Sequence, residues 1–235
     1  MPDLAIIIPT FNESKNIRPL VSRLDAVLEG VDWSVLFVDD DSPDGTAEVV
    51  SELGKDHWRV SCLKRVGRRG LSSACIEGMR QAKAPVYAIM DADLQHDETR
   101  LPLMLAEIRS GADLCVATRY AGGGSVGEWG MGRRVISRSA TWITNVLIGA
   151  RMSDPMSGFF MVTDAVMQQV FPKLDGMGFK ILLDIVVHAR KNIEIREVPF
   201  HFRPRLAGES KMGFQVIVAL LVFLVKKAPR RVMGL

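Results

Sequence analysis

The stretch WSVLFVDDDSPDGTAEVVSEL, residues 33–53, decides the fold. It begins with an apolar run rich in β-branched and aromatic residues, which predicts a strand over 33–40. The letters SPDGT then predict a turn, in which Ser42 or Asp44 caps the helix that follows. Because the strand is apolar on both faces, we predict that it belongs to a mostly parallel sheet covered by helices on each side.

The same alternation of strand and helix extends along most of the chain. Strands are predicted at 4–9, 33–40, 59–65, 84–93, 112–120, 157–163 and 193–202. Helices are predicted near 15–29, over 46–53, 71–82, 97–111, 133–150 and 164–171, and within 178–191. The glycine-rich stretch 120–132 is too long for a simple connector, and such loops are usually functional or disordered. We therefore predict one α/β domain over 1–212, followed by an apolar and basic helix over 213–235.

Bulk properties exclude several classes of protein. The net charge of +3 is too small to indicate a nucleic-acid partner. The three cysteines lack CxxC spacing, which argues against a zinc site or a disulfide framework. The N-terminus enters the first strand without a basic segment or cleavage site, so a signal peptide is not predicted. The longest apolar run, 214–225, is shorter than the roughly 20 residues of a membrane-spanning helix.

Acidic residues follow three of the predicted strands, which should end at one edge of the sheet. Glu13 follows the first strand, and it either contributes to a ligand site or complements the dipole of the next helix. Asp40 ends the second strand and could accept hydrogen bonds from a base or a ribose. No GxGxxG or P-loop sequence accompanies these strands, which argues against a dinucleotide fold or a P-loop enzyme.

The third acidic group is MDADLQH, residues 90–96, which follows the fourth strand. Asp91 and Asp93 point to the same side if the strand continues, and Gln95 adds a neutral oxygen. Such oxygens suit Mg²⁺ or Mn²⁺, which take their remaining ligands from phosphate and water. An isolated DxD is a weak signal, but three acidic strand ends at one edge are a stronger one. His96 is more typical of a polar loop residue, and we do not assign it to the site.

Basic residues complete the pattern. Arg119 ends the fifth strand, and Arg133 and Ser137 lie one helical turn apart after the glycine-rich loop. Arg205 and Lys211 belong to the basic loop 202–211. Guanidinium and ammonium groups are suited to phosphate oxygens. For Arg138 and Arg203, a solvated surface position is the favoured interpretation.

Taken together, these motifs resemble a known family. PTFNE, VDDDSPDGT, MDADLQH, ATRY, GRRVISR, DPMSGFF, FKILLD and RLAGESK occur in order over about residues 4–215. The set resembles the inverting family-2 glycosyltransferases of GT-A fold, in particular the dolichol- or polyprenol-phosphate mannosyltransferases. Phe11 stands where that family often has tyrosine, so a stacking ring is kept and a hydroxyl is lost.

The resemblance implies that mannose passes from GDP-mannose to a polyprenyl or dolichyl monophosphate, with Mg²⁺ or Mn²⁺. It implies catalytic roles for Asp91, Asp93, Arg119 and Arg133, and metal binding by Asp91, Asp93 and Gln95. It places the acceptor phosphate on Arg119, Arg133 and Ser137. The donor site that it implies comprises Pro9, Phe11, Glu13, Val38, Asp40, Asp91, Ala92, Asp93, Gln95, Lys180, Arg205 and Lys211.

Several alternatives stay open at this point. The donor could instead be UDP-glucose or UDP-N-acetylglucosamine, or the chain could be a non-catalytic subunit that binds a nucleotide sugar. The segment 213–235 either rests on a membrane surface or packs as a core helix. Members of the family often carry membrane helices or borrow a membrane subunit, so such a subunit is a candidate partner. We expect a peripheral location at the cytoplasmic face of a membrane.

Overall fold

The computed structural model describes residues 1–120, 122, 145, 152–176, 180–189 and 193–203. Its described part is built on a seven-stranded sheet with the strand order β3-β2-β1-β4-β6-β5-β7. The strands are β1 (Leu4–Thr10), β2 (Trp33–Asp39), β3 (Val60–Lys64), β4 (Val86–Ile89), β5 (Leu114–Thr118), β6 (Phe160–Thr163) and β7 (Ile195–Pro199).

All neighbouring strands pair in parallel except β6, which runs antiparallel to both β4 and β5. Successive connections lead from β1 outward to β2 and β3, and the chain then returns to place β4 on the other side of β1. The strand order therefore reverses between β1 and β4. In open α/β sheets, ligands bind in the crevice at the carboxyl ends of the strands that flank such a reversal.

Six described α-helices flank the sheet. They are α1 (Ser14–Val27), α2 (Thr46–Asp56), α3 (Leu71–Ala82), α4 (Leu101–Arg109), α5 (Asp164–Val170) and α6 (Ile181–His188). Within the described ranges, no helix has both the length and the apolar character that crossing a membrane requires.

The core forms two layers because successive side chains of a strand point to opposite faces of the sheet. In β1, Ala5 and Ile7 belong to one buried cluster, together with residues of α3, α5 and α6. Leu4, Ile6 and Ile8 belong to the other cluster, together with residues of α1 and α4. The sequence-based prediction of a mostly parallel sheet with helices on both sides is thus confirmed.

The fourth strand differs from its prediction. It ends at Ile89 instead of continuing to 93, so the two aspartates of MDADLQH do not share the side of a strand. The sixth and seventh strands are also shorter than predicted, at Phe160–Thr163 and Ile195–Pro199. The predicted helix 133–150 and the segment 213–235 lie outside the described residues, apart from Asn145.

We predict that Gly78→Ala destabilises the protein although alanine is the better helix former. A Cβ at this position of α3 would lie 2.5 Å from Cγ2 of Ile7 and 2.9 Å from Cγ2 of Val38. Overpacking costs about 1–3 kcal/mol, and it outweighs a helix-propensity gain of about 1 kcal/mol. Urea denaturation should show a lower free energy of unfolding. The exposed Gln81→Ala on the same helix is the control, and equal stability of both variants would contradict the prediction.

Candidate active site

The loops that follow β1 and β2 are joined by side-chain hydrogen bonds. The backbone N–H groups of residues 12, 13 and 14 donate to Ser42 Oγ, Thr46 Oγ1 and Asp44 Oδ2, each at 3.0 Å. The sequence predicted that Ser42 or Asp44 caps α2, but the N-cap position is Gly45, without a side-chain capping hydrogen bond. Asp44 does accept the N–H of Thr46, the first residue of α2, whereas Ser42 serves the loop before α1.

Asp39 and Asp40, at the end of β2, are buried, and other groups of the protein donate hydrogen bonds to both carboxylates. Asp39 accepts hydrogen bonds from the Thr10 hydroxyl at 3.1 Å and from the backbone N–H of Ser42 at 2.9 Å. Asp40 accepts Arg65 Nε and the N–H of Gly70, both at 2.8 Å. The sequence suggested Asp40 as an acceptor for a nucleotide, and the structure shows that protein donors already engage both of its carboxylate oxygens.

Arg65 is a residue that sequence analysis missed. Its side chain is fully buried at the end of β3, and it also donates to Ser73 Oγ at 3.0 Å and to Glu77 Oε1 at 3.2 Å. A buried guanidinium is costly unless carboxylates and carbonyls surround it. The basic run RVGRRG contained the signal, but the sequence did not show which of its arginines turns inward.

The remaining donor-site candidates near β1 and β2 lie close together. Pro9 and Val38 face each other in the parallel register, and Val38 is fully buried. The Phe11 ring lies beneath the guanidinium of Arg69, with 4.3 Å between the guanidinium carbon and the ring centroid. Glu13 accepts a hydrogen bond from Asn16 Nδ2 at 2.6 Å, so its side chain also serves α1.

The DxD loop, residues 90–96, turns back sharply after β4. Leu94 has a φ of 61°, and Asp93 Oδ1 accepts the N–H of Gln95 at 3.1 Å. Ala92 and Asp93 are buried, whereas the Asp91 side chain is 41% exposed. The two carboxylates therefore differ in environment: one is built into the loop, and the other reaches solvent.

His96 is buried under this loop, contrary to the expectation of a polar loop residue. Its Nδ1 accepts the backbone N–H of Asp91 at 3.0 Å, and its side chain is only 5% exposed. The ring stacks on Phe159 at 5.2 Å between centroids. Phe200 and Phe202 meet it edge-on at 5.8 Å and 6.1 Å. We call His96, Phe159, Phe200 and Phe202 the aromatic cluster.

Hydrogen bonds join the segment after β7 to the DxD loop. Gln95 Nε2 donates to the carbonyl of Arg203, and the N–H of Arg203 donates to the carbonyl of Gln95, both at 3.0 Å. The guanidinium of Arg203 binds Asp97 and Glu98, each at 2.7 Å. The expectation that Arg203 is a solvated surface side chain is therefore wrong, because it clamps two acids that follow the loop.

Arg119 lies at the end of β5, as predicted, in a bidentate ion pair with Asp154. Its Nε and Nη2 donate to the two carboxylate oxygens at 2.7 Å and 2.9 Å. Burial lowers the pKa of Arg119, but the hydrogen bonds and charge of Asp154 outweigh it, so the net shift is upward. The charge of Asp91 acts in the same direction, which places both candidates in one electrostatic neighbourhood.

Lys180 and Asp91 line one small pocket. Its walls are Leu71, Ile89, Asp91, Pro155, Met156, Ser157, Gly158, Lys180, Ile181 and Leu182. Lys180 Nζ is buried without a hydrogen-bond partner among the described residues. Burial lowers the pKa of this amine to about 7. A buried cation in this state favours an anionic ligand.

Four predicted site residues, Arg133, Ser137, Arg205 and Lys211, lie outside the described residues. Over the described ranges, no group of three or more His, Cys, Asp or Glu side chains is placed to hold a metal ion. Asp184 is buried within α6.

The strand order reverses between β1 and β4, and Lys180 and Asp91, a residue of the DxD loop, line one pocket. The chain belongs to glycosyl transferase family 2, since the model of that family matches residues 5–171.

Curated relatives point to one branch of the family. The chain is 38% identical over 220 residues to a dolichol-phosphate mannosyltransferase of Pyrococcus furiosus, and this match covers 93% of the chain and 61% of the relative. Proteins of the same name from Mycosarcoma maydis and Saccharomyces cerevisiae are 37% and 36% identical. These matches cover 96% and 93% of the chain, and 79% and 84% of the relatives.

Solved structures share the fold. Glucosyl-3-phosphoglycerate synthase from Mycobacterium tuberculosis, in complex with Mn²⁺, UDP-glucose and phosphoglyceric acid, superposes with a TM-score of 0.72 at 13% identity. The match covers 97% of this chain and 80% of that one. The UDP complex of the same synthase gives a TM-score of 0.71 at 12% identity, with coverage of 97% and 80%. The GT-A prediction is thereby confirmed.

We predict that Arg65→Met costs about 3–5 kcal/mol of unfolding free energy, because it leaves the Asp40 carboxylate buried without its counter-ion. Chemical denaturation measures the loss. Arg68→Met is a matched control: this arginine binds the same Glu77 at 3.0 Å but is exposed, so its removal should cost at most about 1 kcal/mol. Adding Asp40→Asn to Arg65→Met should restore part of the loss. Equal effects of the two arginine variants would contradict this account.

A second prediction concerns the dependence of stability on pH. The pKa of Lys180 is about 7 in the folded protein against an ordinary 10.5. Between these values the unfolded chain binds more protons, so the free energy of unfolding should rise with pH in this range. Lys180→Met should remove that part of the rise, whereas the exposed Lys173→Met should keep it. Urea unfolding across the interval tests this, and an unchanged slope in Lys180→Met would refute it.

Proposed function

We propose that the protein transfers mannose from GDP-mannose to a polyprenyl or dolichyl monophosphate, with inversion and with a divalent metal. The observation that carries this proposal is the pocket that Asp91 and Lys180 share. A carboxylate suits a metal ion, and a buried amine suits a phosphate oxygen. The diphosphate of a nucleotide sugar, with its bound metal, supplies both the metal ion and the phosphate oxygen. The names of the relatives support mannose and dolichol phosphate as the sugar and the acceptor.

The nucleotide would lie over the ends of β1 and β2. Phe11 offers an aromatic face, with Arg69 already stacked on it, and Pro9, Glu13, Val38 and Asp40 would border the base and ribose. Asp40 would act from a fixed position, because Arg65 and Gly70 hold its carboxylate. Lys180, Arg205 and Lys211 would contact the diphosphate.

The DxD loop fits Mg²⁺ or Mn²⁺ by the chemistry of its donors. Asp91 and Asp93 provide carboxylate oxygens, and Gln95 a carboxamide oxygen, which are hard ligands of the kind that these ions prefer. The metal, when bound, neutralises negative charge on the leaving diphosphate. The solved synthase complex with Mn²⁺ and UDP-glucose supports this assignment by fold similarity. Lys180 and the arginines would stabilise the same charge from the protein side.

The acceptor needs no general base, because a lipid monophosphate is already an anion near neutral pH. Its oxygen would attack the anomeric carbon opposite the leaving diphosphate, which inverts the configuration to give a β-linked product. Arg119, Arg133 and Ser137 would hold the acceptor phosphate. The ion pair with Asp154 uses Nε and Nη2 of Arg119, so it fixes the guanidinium plane at the end of β5.

A lipid acceptor requires contact with a membrane. We assign the catalytic domain to residues 1–212 and membrane-surface contact to 213–235, where Lys226, Lys227, Arg230 and Arg231 follow an apolar run. Such a segment suits an anionic leaflet. We propose the cytoplasmic face of a membrane as the place of the reaction and a membrane-anchoring subunit as a candidate partner there.

We predict that Asp93→Asn abolishes sugar transfer in Mg²⁺ or Mn²⁺ while the fold is kept. Asparagine retains an oxygen that can accept the N–H of Gln95, and it removes the charge that a metal requires. Activity should fall at least about 100-fold, with an unchanged thermal unfolding midpoint. Asp56→Asn, at an exposed acid at the end of α2, is the control. Full turnover by Asp93→Asn would refute the metal role.

A donor screen tests the reaction itself. The protein is incubated with a short polyprenyl phosphate, Mg²⁺ or Mn²⁺, and GDP-mannose, UDP-glucose or UDP-N-acetylglucosamine in turn. We expect a lipid-phosphate mannose product from GDP-mannose and little product from the UDP sugars. Product only from a UDP sugar would replace the donor, and binding without product from any of the three would indicate a non-catalytic subunit.

A further inference from the structure

The geometry of the DxD loop gives His96 a defined relation to Asp91. The imidazole folds back under the loop, and its Nδ1 accepts the N–H of Asp91 at 3.0 Å. A ring nitrogen that accepts a hydrogen bond carries no proton in the neutral ring, so the proton is on Nε2. That nitrogen lies 3.7 Å from Asp91 Oδ2. One side chain therefore restrains the backbone of Asp91 and lies beside its carboxylate.

The three phenylalanines of the aromatic cluster hold the imidazole ring of His96 in place. Phe159 stacks on one face, and Phe200 and Phe202 close the edges. These phenylalanines come from the segments that precede β6 and follow β7, so the position of the ring is set by the sheet and not by the loop. A side chain packed in this way has little freedom to change rotamer.

Gly158 borders the Asp91 carboxylate on another side. A Cβ at this glycine would lie 3.6 Å from both Asp91 Oδ2 and His96 Cε1. The Asp91 side chain is nonetheless 41% exposed. Without a restraint on its backbone, an exposed aspartate would sample several positions. Ordering it on metal binding would then cost entropy and lower the metal affinity.

We propose that His96 is a positioning residue that fixes Asp91 for the metal–diphosphate complex through Nδ1. The inference rests on the proposed function, because it assigns Asp91 to metal binding. His96 itself neither coordinates the metal nor contacts the sugar. Residues that orient a metal ligand typically contribute 10–100-fold to metal affinity, and an effect of that order is expected here.

Three substitutions separate positioning from packing. His96→Asn keeps an acceptor on the atom next to Cγ, where Nδ1 lies, but loses the ring. His96→Phe keeps the ring and loses the acceptor. His96→Gln moves its acceptor one bond further out, toward the place of Nε2. The full chain of each variant is titrated with Mn²⁺ in the presence of GDP, bound metal is followed by electron paramagnetic resonance, and thermal unfolding is recorded in parallel.

Mn²⁺ affinity and thermal stability should rank His96→Asn and His96→Phe in opposite orders. We expect His96→Phe and His96→Gln to bind Mn²⁺ about 10–100-fold more weakly than the wild type, and His96→Asn to stay within about threefold. Stability should be higher in His96→Phe than in His96→Asn, because only phenylalanine refills the aromatic cluster.

Two results overturn the proposal alone: wild-type Mn²⁺ affinity in His96→Phe, or metal affinities that follow the order of thermal stability. If the wild type itself shows no GDP-dependent Mn²⁺ binding, the metal role in the proposed function falls together with this inference. The titration therefore distinguishes a failure of the positioning role from a failure of the proposed function.

Discussion

The parallel register of β1 with both β2 and β4 is the constraint on which the site depends. Thr10 pairs with Asp39 on one side, whereas β4 leaves the sheet after Ile89, opposite Ile7. Strand β1 thus extends three residues beyond its partner. The chain after β4 has to turn away at this step, and that turn forms the DxD loop beside the carboxyl end of β1.

The acids near the carboxyl ends of the strands are of two kinds. Asp39, Asp40 and Asp154 are buried and engaged by hydroxyl, amide or guanidinium donors. These contacts hold the framework, because an unpaired carboxylate in such places would be strongly destabilising. Asp91 instead keeps a solvent-facing side. Exposure thus distinguishes Asp91 from the three acids whose contacts lie within the protein.

The sequence predicted the strands and most helices because burial on both faces leaves continuous apolar runs, and these depend on local residues alone. It did not predict the conformations of the loops that follow the strands or which of their side chains are buried. The turn at Leu94 depends on a left-handed backbone, and the burial of His96 depends on Phe200 and Phe202 from a distant part of the chain. Arg65 belongs to a run of basic residues, and only its tertiary partners show that this arginine turns inward.

The pocket between the DxD loop and α6 is lined by a lysine whose burial disfavours its own charge and by an aspartate whose side chain is partly exposed to solvent. The structure gives no direct bond between these two groups. Either one alone would attract a simple ion, but a diphosphate with a divalent metal presents opposite charges side by side. Such a ligand favours the protonated amine through its phosphate and offers the carboxylate a metal ion. Because both groups are held by the sheet and by α6, the ordering cost of this arrangement is met mainly during folding, before the ligand arrives.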